Sequence, residues 1–107
     1  MKFLNSIFIT LVIAIFSGIC VGKEHVVEQK GKAFSVKTLT IKKGDSVSFL
    51  NSDPFFHNVF SLSEAKFFDL GSYPENEAKS VTFEKAGDVE IECAIHPEMR
   101  MTIKVTE

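Results

Sequence analysis

The chain has 107 residues, 12 Lys and Arg against 14 Asp and Glu, 45% apolar residues and two cysteines. That length bounds it to one small domain. A net charge of −2 with no basic run or stripe excludes nucleic acid as a natural partner.

The first element is a leader. Lys2 precedes the apolar run "IFITLVIAIF", and the smaller Ser17 and Gly18 follow, which is the layout of a secretory signal peptide. Cys20 and Gly22 supply small residues at the −3 and −1 positions of a cut after Gly22. The expected division is therefore a signal peptide, 1–22, and a mature domain, 23–107. Ile19 before Cys20 argues against lipidation there. The competing reading is an uncleaved anchor, because Phe3 to Gly22 is an uncharged run near the ~20 residues a membrane helix needs. Asn5, Ser6, Thr10 and Ser17 dilute that run and favour cleavage. The mature chain would bury roughly 60% of its unfolded surface or slightly more, so a bound metal would add stability. Export places it in an oxidising compartment, the periplasm, with no membrane contact once the leader is gone. Removing Cys20 leaves Cys93 without an intramolecular disulfide partner. A lone thiol there needs burial or ligation.

The rest of the chain alternates in the manner of β-strands. "VVEQ", "AFSVKTLTIK", "SVSFLN", "HNVFSL", "KSVTFE", "DVEIEC" and "MTIKVTE" read as strands, and "KKGD" and "EKAGD" as tight turns. Leu39 and Ile41, Val47 and Phe49, Val81 and Phe83, Val89 and Ile91, then Ile103 and Val105 share parity in their segments. Each strand is expected to put that face into a core and the other into water. About seven such strands predict an all-β, two-sheet sandwich. Glu64 to Asn76 fits the alternation poorly and is expected to be an irregular excursion.

Chemistry concentrates near the end of the chain. In "ECAIHPEMRM", Cys93, His96 and Met99 recur at intervals of three, and Met101 follows. His57 stands 36 residues before Cys93, just after Pro54, where a turn gives way to a strand. A sandwich can bring both places to one end. His57, Cys93, His96 and Met99 then make the His₂Cys set with a weak axial Met that suits a blue copper site. Thiolate and thioether favour Cu(I), imidazole accommodates Cu(II), and a site serving both states needs both kinds of ligand. Calcium or magnesium would want clustered carboxylates instead. Zinc also accepts Cys and His, so donor identity leaves it open.

These residues make the chain similar to the cupredoxin (plastocyanin/azurin) family, and most similar to its amicyanin-like branch with the short loop C-x-x-H-P-x-M. The likeness extends through "GDSVSFLNSD", "HNVFS", "FDLG" and "FEKAGDVEIECAIHPEM". It implies a Greek-key cupredoxin sandwich holding one type 1 copper ion. His57, Cys93 and His96 would be the strong ligands and Met99 the weak axial one. Asn58 would tie the His57 strand to the Cys93 loop by hydrogen bonds. Two departures are visible: Met101 stands where relatives usually have a small residue, and Glu98 puts a negative charge beside the exposed ligand.

The expected function is single-electron transfer by a monomer that meets its redox partners transiently. His96 would be the electron port, and Pro54, Phe55, Phe56 and Pro97 a docking patch around it. A copper carrier or buffer, and a zinc-stabilised or metal-free interaction module, are the alternative readings. No nucleophile and base pair remains once the ligands are assigned, so an enzyme is not expected. A cut after Gly22 would also start the mature chain Lys23-Glu24-His25, whose amine, amides and imidazole can wrap a second Cu(II) in a square plane.

Overall fold

The computed structural model describes residues 22–107, so the expected leader lies outside the described residues except for Gly22. Eight strands are described: β1 (Glu24–Gln29), β2 (Thr38–Lys42), β3 (Ser46–Asn51), β4 (His57–Ser63), β5 (Lys66–Tyr73), β6 (Ala78–Thr82), β7 (Gly87–Glu92) and β8 (Arg100–Thr106). They form a three-stranded sheet, β1-β3-β6, and a five-stranded sheet, β2-β8-β7-β4-β5. β1 runs parallel to β3 and β2 to β8, while the other pairs are antiparallel. The protein is the expected all-β sandwich.

The alternating apolar positions make the core. Ile41, Val47, Phe49, Val81, Phe83, Val89, Ile91, Ile103 and Val105 are buried between the sheets, and Leu39 packs half-buried at their margin. An aromatic chain runs through this core, with ring centroids 6.4 Å apart for Phe34 and Phe49, 6.5 Å for Phe49 and Phe68, and 6.2 Å for Phe68 and Phe83. Truncating a central ring such as Phe49 to Ala would cost about 3–5 kcal/mol by the usual cavity cost.

Two sequence expectations need correction. The run from Ala33 is not one long strand: only Thr38–Lys42 is extended into the sheet, while Phe34 makes an isolated bridge to Gln29. The expected excursion from Glu64 contains the eight-residue strand β5, paired with β4. Alternation hides this strand because its phase changes midway. Phe68 and Leu70 pack against the core and Phe67 faces out, yet Tyr73, not Ser72, is the next buried side chain. The register shifts between Asn58 and Phe60, where one extra residue of β5 is accommodated. Gly71 sits there at φ 73, and its N–H donates to Asp69 Oδ1 at 2.8 Å. A left-handed residue within a bulge is a natural place for glycine.

The bulge turns Tyr73 inward opposite His57. Its hydroxyl lies 2.9 Å from both Gln29 Oε1 and the Phe49 carbonyl, and it has one proton to give. Gln29 Nε2 is meanwhile buried without a partner. Turning the Gln29 amide over resolves both facts: its NH₂ donates to the hydroxyl, and the hydroxyl donates to Phe49. Burial is the first cause that pushes the Tyr73 phenol well above its ordinary value, with the nearby Cys93 and Glu77 charges second and third.

Candidate metal centre

The site lies where β3 ends, β4 begins, β7 ends and β8 begins. Asn51, the last residue of β3, shapes the turn from inside. Its Nδ2 donates to the Phe55 carbonyl at 2.8 Å and the Tyr73 carbonyl at 3.0 Å, and its Oδ1 accepts from Asp53 N–H at 2.8 Å. A fully buried amide satisfied on both ends fixes the backbone that delivers Asp53 and His57.

His57 opens β4 and has no exposed surface. Its Nε2 lies 2.7 Å from Asp53 Oδ2 and donates there, leaving the lone pair of Nδ1 to face Cys93 Sγ 3.8 Å away. Asp53 also accepts from the N–H groups of Gly31 at 2.8 Å and Lys32 at 3.0 Å. Both of those residues are left-handed, at φ 66 and φ 58, so successive amides converge on one carboxylate. Burial alone would push the Asp53 carboxyl up, but the bonds from His57, Lys32 and Gly31 together hold it below its ordinary value.

Cys93 follows β7 and is buried; among the described residues it is a free thiol. Antiparallel pairing of Phe60 with Glu92 continues into a bond from Ala94 N–H to Asn58 Oδ1 at 2.7 Å. That is the tie between the His57 strand and the Cys93 loop expected of Asn58. His96 is half-buried, with Nδ1 3.9 Å from Cys93 Sγ. The donor atoms of His57, Cys93 and His96 all lie within 4.8 Å of one another. Bonds of roughly 2.3 Å to sulfur and 2.0 Å to nitrogen in a trigonal plane would separate sulfur from nitrogen by about 3.7 Å. The three side chains are therefore set at ligand spacing.

Met99 and Met101 are both buried, so exposure does not separate them. Register does. Ile91 pairs with Met101 inside the ladder, and Glu92 with Arg100 closes it, so Cys93 and Met99 are the residues that leave the two strands at the same end while Met101 lies within the sheet. Met99 N–H also donates to the His96 carbonyl at 2.9 Å, closing the loop on itself.

The expected patch is redistributed. Pro54, Phe56 and Pro97 are exposed, but Phe55 is half-buried, its ring 5.3 Å from that of His57 and 5.4 Å from that of His96. Lys32 Nζ lies 5.8 Å from the Phe55 ring centroid. Ile95, next to His96 in the chain, is 49% exposed. Sequence reasoning missed Ile95 and Asp53. The available signals were the residue between two ligands of one loop and an acid four positions before a ligand His.

His25 lies elsewhere. It pairs with Val47 near the start of β3, whereas the metal centre adjoins the end of that strand. Its Nε2 is 3.0 Å from Asp45 Oδ2.

A family described as copper-binding proteins, plastocyanin/azurin family, matches residues 22–106. The chain belongs to that family. The expected cupredoxin, amicyanin-like kinship is thereby shown, and the His57, Cys93 and His96 group fits a type 1 copper site. A curated relative, the methylamine utilization protein MauL of Methylorubrum extorquens, is 32% identical over 68 residues, 63% of this chain. The match spans 60% of that protein's length. A Cu(I) structure of an amicyanin mutant is 25% identical with a TM-score of 0.71, covering 83% of this chain and 87% of amicyanin. A copper-containing nitrite reductase from Thermus scotoductus is 27% identical with a TM-score of 0.74, over 83% of this chain but only 25% of the enzyme. This cupredoxin thus shares its fold both with free-standing copper domains and with part of a larger enzyme.

Proposed function

We propose that the protein is an exported, periplasmic electron carrier that moves single electrons between redox partners and is not itself an enzyme. The observation that carries this reading is the pairing of a buried cysteine sulfur and a buried imidazole with a second, half-buried imidazole, all at ligand spacing. Copper bound there would supply the Cu(I)/Cu(II) couple, and a site of mixed soft and borderline donors serves both states.

The chain's own residues do the rest. Asp53 holds the His57 ring in one tautomer, and Asn58 holds the Cys93 loop against β4. Tied down from several sides, the ligands have little room to rearrange when the metal changes oxidation state. Met99 would be the weak fourth ligand, a reading supported by its burial and by its place next to the end of the β7–β8 ladder, where Cys93 also leaves its strand. His96 is the proposed port, because it is the half-buried member of the group and its chain neighbours Ile95 and Pro97, like Pro54 and Phe56 just before His57, are exposed apolar residues. A small apolar contact suits a brief encounter, since weak redox complexes bury less than about 1,200 Å².

The test is a visible spectrum of the copper(II) form. An intense blue band is expected, and Cys93→Ser should abolish it while leaving the sandwich folded. A colourless wild-type copper complex with intact fold overturns the type 1 assignment. Rapid metal exchange without electron exchange would indicate a carrier of copper instead.

A further inference from the structure

The Asp45 carboxylate, at the end of the β2–β3 turn, gathers three donors. Lys23 N is 2.9 Å from Oδ1, His25 Nε2 is 3.0 Å from Oδ2, and Lys42 N is 3.1 Å from Oδ2. Lys23 is held from its other side too, because its carbonyl accepts from Ser46 N–H at 3.0 Å. From Glu24 onward the chain is in register with β3, beginning at the Glu24 and Ser46 pair. Lys23 is therefore fixed to the domain by both of its own backbone groups. One residue earlier the chain passes so close to the Gly44 carbonyl that a Cβ on Gly22 would collide with it.

We propose that Lys23 is the first residue of the mature protein and that Asp45 is the receptor for its α-ammonium group. The step is hydrolysis by a leader-removing peptidase. Water adds across the Gly22–Lys23 peptide bond, Gly22 leaves as a carboxylate, and Lys23 keeps its nitrogen as an ammonium. A neutral amide donor beside Asp45 thus becomes a cation, and a charge-assisted bond is about twice as strong as a neutral one. The position needs no rearrangement, since the β1–β3 register already holds that nitrogen at hydrogen-bond distance. Asp45 is already arranged to be an anion: the bonds from His25, Lys42 and Lys23 lower its carboxyl to about 2.

The clamp opposes a second Cu(II) site at Lys23-Glu24-His25. To wrap the ion in a plane of nitrogens, the amine and the imidazole must both leave Asp45, and the first residues of β1 must peel from β3. The inference rests on the export part of the proposed function and not on its electron-transfer part, because Asp45 lies at the opposite end of β3 from the metal centre.

The experiment compares copper-loaded chains that begin at Lys23 with a free amine, at Lys23 with an acetylated amine, or at Gly22, each with Asp45 or Asp45→Asn. The free-amine chain should melt several degrees higher than the other two, and that difference should vanish in Asp45→Asn. Equal melting with Asp45 present, or a difference that survives Asp45→Asn, overturns the clamp. Should Asp45→Asn fail to fold, acylation of the wild-type α-amine by acetic anhydride decides: it should run several-fold slower than in the urea-unfolded chain, and equal rates overturn the clamp. Mass spectrometry of the exported protein tests the cut separately. A first residue other than Lys23 overturns the processing step even where the recombinant clamp holds.

Discussion

Asp53 and His57 form a buried carboxylate–imidazole pair, 2.7 Å apart, on the side of the ring away from Cys93. A carboxylate behind a ligating imidazole fixes its tautomer and raises its basicity. Greater basicity favours the more highly charged copper ion. The same carboxylate holds the Gly31–Lys32 loop, so one residue fixes both the His57 ring and that loop.

Asp53→Asn should therefore raise the reduction potential and weaken Cu(II) binding by about 10–100-fold, the usual range for partners of metal ligands. Asp53→Ala should add a stability loss of about 1–3 kcal/mol from amides left unpaired. Potentiometry and competition with a chelator read the two effects. An unchanged potential in Asp53→Asn would show that the carboxylate serves the loop alone.

Met99→Gln should alter the copper spectrum and shift the potential, because the axial ligand tunes both. Met101→Leu, paired with Ile91 inside the sheet, should leave the spectrum unchanged and cost less than about 1.5 kcal/mol as a volume-conserving core swap. Electronic spectra and urea unfolding of the two variants check the assignment. The opposite pattern would move the axial ligand to Met101.

The contrast between those two methionines shows what was legible in the sequence. Both share the parity of Ile103 and Val105, so alternation gives them equal standing; loop length and the family resemblance favour Met99, and the ladder adds that Met101 pairs with Ile91 inside the sheet. His57, Cys93 and His96 were legible because soft and imidazole donors rarely gather by chance around one loop. Asp53 was not, since a single acid near a turn looks like ordinary turn chemistry until two left-handed amides and a histidine are seen to converge on it. Strand β5 escaped for a related reason: a bulge at Gly71 changes its phase, and a two-residue period cannot follow a strand through a bulge.

Asp45 gives the stability a defined acid dependence. Its carboxyl is lowered from the ordinary 3.8 to about 2 in the fold, first by His25, then by the Lys42 and Lys23 amides. The unfolded chain binds the proton more readily, so this contribution is full above about pH 4–5 and is lost as pH falls through about 2. Asp45→Asn should be less stable than wild type at pH 6, and the gap should narrow at pH 3. Urea midpoints of the two metal-free proteins at both pH values give the comparison. A gap that stays constant would place the carboxylate's role outside titration.

The surface at His96 also makes a prediction that needs no knowledge of the partner. With His96 as the proposed port, two copies exchanging an electron would bring their half-buried His96 rings together, and the exposed Phe56 and Ile95 of one would then meet those of the other. Phe56 is 55% exposed and Ile95 49%, so both are open to such contact. Ile95→Glu would place like charges across that contact and carboxylates in an apolar interface. Opposed like charges are costly, and a penalty of about 1.4 kcal/mol already means a tenfold change. The self-exchange rate, read from NMR line broadening in mixtures of reduced and oxidised protein, should therefore fall at least about tenfold. Added salt should recover part of the loss by screening. Leu62→Glu is the control: Leu62 is 68% exposed, near the end of β4 remote from His57, and its substitution should leave the rate unchanged. A rate that falls with Leu62→Glu and not with Ile95→Glu would move the electron port away from His96.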